Sequence, residues 1–142
     1  MKQREAWNRI FSGMRADVHD YRRLRDLLEE QFGAALQHRT DAIGEIGGRI
    51  TELTAVLEER RCERVRLASL LDAGRTSRVS ISAVAQRLQG ASRATFDVCW
   101  TALEALVQEC KALNIRNCKL LMDQHEIMQR VLNAEADTYA PA

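Results

Sequence analysis

Proline is almost missing from this chain: Pro141 is the only one in 142 residues, and aromatic residues make up 5%. Sheet proteins draw on aromatic and β-branched residues and turn often, so a β-sandwich or barrel is excluded. No apolar run approaches the ~18–20 residues that span a bilayer, which excludes membrane insertion through a helix. No apolar signal core follows the charged opening Met1 to Glu5, so a cytoplasmic location is expected. Cys62, Cys99, Cys110 and Cys118 contain no Cys-x-x-Cys pair, and three of them fall on one predicted helix. They read as reduced, space-filling thiols rather than a disulfide or zinc framework. Charge of either sign lacks a surplus: 21 basic against 20 acidic residues leave +1, which excludes nucleic acid as a bulk partner.

The residues of catalysis are scarce as well. His19, His38 and His125 are too few and too far apart for a recognisable metal set, and no Glu-x-x-His occurs. No glycine-rich phosphate loop joins a strand to a helix. Glu29 with Glu30, and Glu58 with Glu59, are sequence neighbours on charged helix faces rather than convergent acids. No enzyme, cofactor or metal is expected.

What remains is helical periodicity. Helix 1 is expected over 1–37, with an apolar stripe through Trp7, Ile10, Phe11, Met14, Val18, Tyr21, Leu24, Leu28, Phe32 and Ala35. Gly13 is a position where a short first helix could split off. The pattern breaks at His38 to Asp41, where Thr40 is a candidate N-cap. Helix 2 is expected over 41–71, its stripe running Ile43, Ile46, Ile50, Leu53, Leu57, then Arg60 and Arg64, then Leu67 and Leu71. The short link between them implies an antiparallel hairpin. After the breaker at 72–78, Ser80 is expected to cap a short helix over 80–89. Ser92 is expected to cap a long helix over 92–136, and a poorly ordered tail over 137–142 follows. The expected fold is all-α: an elongated, coiled-coil-like bundle of three long antiparallel helices plus one short helix, in a single domain over 1–142.

The last helix carries the most information, and the hairpin is expected to organise around it. Leu103, Leu106, Cys110, Leu113, Leu120, Ile127, Val131 and Ala134 alternate at three and four, with Asn117 and Gln124 in the same register. Asn114 and Asn117 leave two readings open: a polar seam that fixes register, or recognition of a partner's backbone. The helix also carries more apolar residues than one hairpin covers. Val107, Leu121 and Met128 line one flank, and Ile115, Cys118 and Met122 make a second line. Such a surplus fits either an adaptable site for an amphipathic segment or extra packing in a thicker bundle or dimer.

The run Leu113-Asn114-x2-Asn117-x2-Leu120-Leu121, a helix of about a dozen residues, and then Thr138-Tyr139-Ala140-Pro141 resembles the C-terminal signature of the FlgN-like flagellar export chaperones. That signature is Leu-Asn-x-x-Asn-x-x-Leu-Leu, helix, Tyr-Gly-x-x-Gly. Leu27 to Gln31, Arg39 to Asp41, and the arginines Arg60, Arg61 and Arg64 follow in the family's order. Cys118 and Ala140 depart from it, standing where the family has glycine. The resemblance implies a cytosolic, ATP-independent chaperone of type III secretion that holds hook-associated proteins by their C-terminal helices and passes them to the export gate. It implies client contacts at Asn114, Asn117, Leu121, Met122 and Met128, and a gate contact at Tyr139. The rival expectation is a coiled-coil adaptor that forms homo-oligomers through the same helix. A chaperone of the virulence or flagellin branch, with a different client, is a nearer alternative.

Overall fold

A computed structural model describes residues 2–72 and 80–139, with side chains through 136. Four helices follow one another: α1 (Gln3–Leu36), α2 (Thr40–Leu71), α3 (Ile81–Ala85) and α4 (Gly90–Tyr139). The all-α bundle with three long helices is as expected. α1 is unbroken at Gly13, because the apolar stripe on both sides of that position is packed.

α1 ends in a Schellman motif. Arg39 N donates to Ala34 O at 2.9 Å and His38 N to Ala35 O at 3.1 Å, with His38 in the left-handed region at φ 54°. The reversal takes so few residues that α2 begins at Thr40 itself. Thr40 is therefore inside the helix, and Arg39 occupies the cap position without a side-chain cap bond. Ser80 does cap α3, its hydroxyl accepting from Ala83 N at 3.1 Å. α3 is one short turn-and-a-half, because the chain turns through Gly90 at φ 63° and α4 starts there rather than at Ser92. α4 also runs on through 137–139, where a tail was expected. Nothing before Pro141 interrupts a helix whose nucleus is already formed. The remaining tail, 140–142, lies outside the described residues.

The element shared by the others is α1 rather than α4. α2 and α4 each pack along α1, while α3 packs against α2. α2 runs antiparallel to α1. α4 runs parallel to α1, the direction left to the third helix of an up-down-up path. The core is two clusters. One, at the end holding both chain reversals around α3, joins Ala6, Ile10 and Met14 to Leu67, Leu71, Val84 and Phe96. Trp7, Phe11, Phe96 and Trp100 form a chain of ring contacts there, with centroids 5.6 to 6.4 Å apart. The second joins Leu24, Leu27 and Leu28 to Leu53, Leu57 and Cys110.

Between the clusters lies buried charge. The Asp17 side chain is 1% exposed; it accepts from Arg60 at 3.1 Å and from Arg64 at 2.6 Å, and Arg60 also reaches Asp20 at 2.6 Å. Arg64 lies over the Trp100 ring at 5.9 Å, which links α2 to α4. Asp20 is buried as well, because Arg60 and Arg64 interrupt the stripe of α2 and need acids opposite. Removing one member of a buried ion group leaves its partners uncompensated. Asp17→Ala should therefore lower stability by roughly 3 kcal/mol in urea unfolding, somewhat reduced by the solvent reach of Arg60. Arg61→Ala, which breaks an exposed pair with Glu58, should leave the urea midpoint nearly unchanged.

Candidate functional site

The contact between α1 and α4 is set by a repeating polar bond. Cys110, Asn117 and Gln124 stand seven residues apart, so a coiled-coil helix brings all three to the same line. Cys110 Sγ donates to Tyr21 O at 3.4 Å, Asn117 Nδ2 to Leu28 O at 2.7 Å, and Gln124 Nε2 to Ala35 O at 2.9 Å, each across a separation of 89 residues. These carbonyls also belong to α1's own helix, so each accepts with its second lone pair. A one-step slip of α4 would unmake all three bonds together.

Asn117 is 1% exposed and fully engaged. Its amide nitrogen also donates to Gln31 Oε1 at 3.0 Å, and its Oδ1 accepts from Arg116 Nη2 at 3.1 Å. Arg116 in turn pairs with Glu29 at 3.2 Å and lies 3.6 Å over the Phe32 ring. The register reading of Asn117 is the one the packing supports. While α4 lies on α1, its amide is engaged within the chain. Asn114 is exposed, its Oδ1 meeting only the Cys118 thiol at 3.8 Å.

Burial raises the Cys110 thiol from 9.0 to about 11, with Glu109 adding to the shift and Arg25 opposing it. A raised thiol favours the folded state in its protonated form. Its contribution is whole below about 9 and is lost as pH rises through about 11.

The seam stops where α1 stops. The last rung, Gln124 to Ala35, is one residue short of the end of α1 at Leu36, but α4 continues to Tyr139. About fifteen residues, near 22 Å at ~1.5 Å per residue, project beyond α1. The α1-facing stripe continues along them with nothing opposite among the described residues. Ile127 and Val131 are each 55% exposed, Met128 59% and Leu132 55%. Ile127, Val131 and Ala134 were expected under cover; Ile127 and Val131 are exposed because α1 is shorter than the stripe it would need to cover. Leu132 escaped the sequence reading; its signal is the i+4 spacing from Met128, which widens the stripe.

The predicted site residues divide by face. Asn114, Leu121 and Met128 are seven apart and share one flank, with Leu121 half-buried and Met128 open. Met122, 62% exposed, falls on the outward face with Ile115 and Cys118, away from the arm's stripe. Tyr139 ends α4, and its side chain lies outside the described residues. The arm is thus a single helix with a bare apolar face. An exposed apolar helix face of this kind is suited to pairing with another helix. Among the described residues no helix is long and apolar enough to cross a membrane.

The rungs and the flank separate cleanly in stability. Asn117→Ala strands Arg116 and Gln31 and should lower stability by about 1–3 kcal/mol in urea unfolding, while Asn114→Ala should stay within about 0.5 kcal/mol. Iodoacetamide at mildly alkaline pH should label exposed Cys62 and Cys118 quickly and Cys110 last. Rapid labelling of Cys110 would show α4 leaving α1.

Compared with known families, residues 2–135 match the model of the family described as FlgN protein. The match ends before Tyr139. No curated protein and no solved structure matches the chain.

Proposed function

This chain belongs to the FlgN family of flagellar export chaperones, and from that premise we propose that its bare arm holds hook-associated proteins, in the cytoplasm, by their C-terminal helical segments before export. The observation that carries the proposal is the unpaired stretch of α4 beyond Leu36, with Ile127, Met128, Val131 and Leu132 open on one side. A client segment that forms coiled coil in its final assembly presents a matching apolar stripe. The arm supplies the missing partner helix without closing into a pocket.

Magnitudes fit a grip that also lets go. Covering the exposed half of four such side chains contributes roughly 1 kcal/mol each. That sum, about 4 kcal/mol, only offsets an association cost of at least about 4 kcal/mol, so the net grip comes from further contacts along the helix. Leu121 and the exposed Asn114 extend the surface back towards the bundle. Met122, with Ile115, offers a second contact line on the outward face. Asn117 acts by holding α4 in register, so that the arm projects in one fixed rotation. In this reading Tyr139, at the arm's end, contacts the export gate while the client is held nearer the bundle.

The test is a binding titration with C-terminal segments of hook-associated proteins. Met128→Asp with Val131→Asp should abolish binding and leave the melting temperature essentially unchanged, since both side chains are exposed. Binding that survives this pair contradicts the proposal. Light scattering separates the self-associating adaptor: a stable dimer, lost in the same variant and not dispersed by client, would favour it. Tyr139→Ala should bind client normally and block its secretion, and unchanged secretion would remove the tyrosine from the pathway.

A further inference from the structure

At the opposite end of the α1–α4 seam the structure holds a second surface that the client arm does not use. On the face away from α2, the two helices leave a groove lined by Arg15 and Val18 of α1 and by Ala94, Val98, Cys99 and Ala102 of α4. It continues past Phe11 and Thr95 towards Ala91. Its floor is apolar and its α4 wall is built of small side chains, so another helix can approach closely. Val98 is 73% exposed, the barest large aliphatic side chain of the described residues. From Ala91 to Ala102 the groove runs about 17 Å, which fits three turns of helix.

Charge identifies the occupant. Further along the same face the seam is closed by ion pairs, Arg25 to Glu109 at 3.8 Å and Arg116 to Glu29 at 3.2 Å. In the groove that pattern fails. Arg15 lies against alanine, valine and cysteine, and neither Arg15 nor Arg22 has an acidic partner within ion-pair distance among the described residues. Helical spacing puts Arg22 two turns beyond Arg15 on the same rim. A second copy docking symmetrically would offer this same face to Arg15 and Arg22, and its acids Glu29 and Glu109 are already paired with Arg116 and Arg25.

We propose that this groove docks an amphipathic helix of a partner protein, with small or aliphatic residues on its buried face and Asp or Glu along the edge that meets Arg15 and Arg22. Ala102, the near edge of the groove, lies about 38 Å along α4 from Ile127, at ~1.5 Å per residue, so an occupant here leaves the arm free. The molecule then has two independent faces: one for the cargo and one for an acidic helix of another component. This inference does not depend on which client the arm carries.

The probe is a designed, fluorescein-labelled eighteen-residue helical peptide with an Ala/Leu face and Glu flanks, titrated into the full-length chain by anisotropy. A matched peptide with Lys flanks is the control. Saturable binding is expected for the Glu peptide, at least tenfold tighter than for the Lys peptide. Val98→Asp should weaken it tenfold or more with an unchanged melting temperature. Arg15→Glu with Arg22→Glu should reverse the preference between the two peptides, an effect that a merely structural lesion does not produce. Equal binding of both peptides, or insensitivity to Val98→Asp, would overturn the proposal. So would concentration-dependent dimerisation in sedimentation that Val98→Asp abolishes, because the occupant would then be a second copy.

Discussion

The structure depends on one constraint: α4 is locked to α1 in parallel, at a fixed separation of 89 residues, by side chains that donate to backbone carbonyls. Apolar packing alone would hold two stripes together at several registers. Three donors at heptad spacing select one, since any slip leaves buried polar groups without partners. Once the register is fixed, the lengths of the helices decide the rest. α1 has 34 residues and α4 has 50, and their N-terminal ends are level at the Trp7–Phe96 contact. The excess length of α4 must therefore emerge at the other end, as an arm.

A parallel pair of helices needs a long return path, and α2 supplies it. The buried Asp17–Arg60–Arg64 group fixes α2 to the middle of α1. Apolar clusters above and below supply most of the cohesion, and the charges supply orientation. The arm draws on none of this. Its helix persists because it continues an existing one and carries no nucleation cost, and its residues between Ile127 and Ala136 are mostly good helix formers. A stretch supported only in this way is free to adapt to a partner.

Much of this was legible in the residues. Helix number, the hairpin, the Ser80 cap and the polar seam at Asn117 all follow from local spacing. Thr40 and Ser92 misled because capping chemistry is common, while the actual boundaries were decided by backbone turns at His38 and Gly90. Asp17 and Asp20 were missed although Arg60 and Arg64 announced them: an arginine in an apolar stripe demands an acid from the facing helix, and the facing residue depends on tertiary register. The arm was half visible. The surplus of apolar residues on α4 was plain, but Ile127 and Val131 look like core until α1 is seen to stop at Leu36. Periodicity shows which residues form a stripe and says nothing of how far its cover reaches.

Hydrogen–deuterium exchange of α4, alone and with a bound C-terminal segment of a hook-associated protein, tests the central claim most directly. The account predicts strong protection from Phe96 to Gln124 in both states, and protection of 126–139 that appears only with the segment present. Protection of 126–139 in the free chain, or loss of protection along the α1–α4 seam when the segment binds, would contradict it.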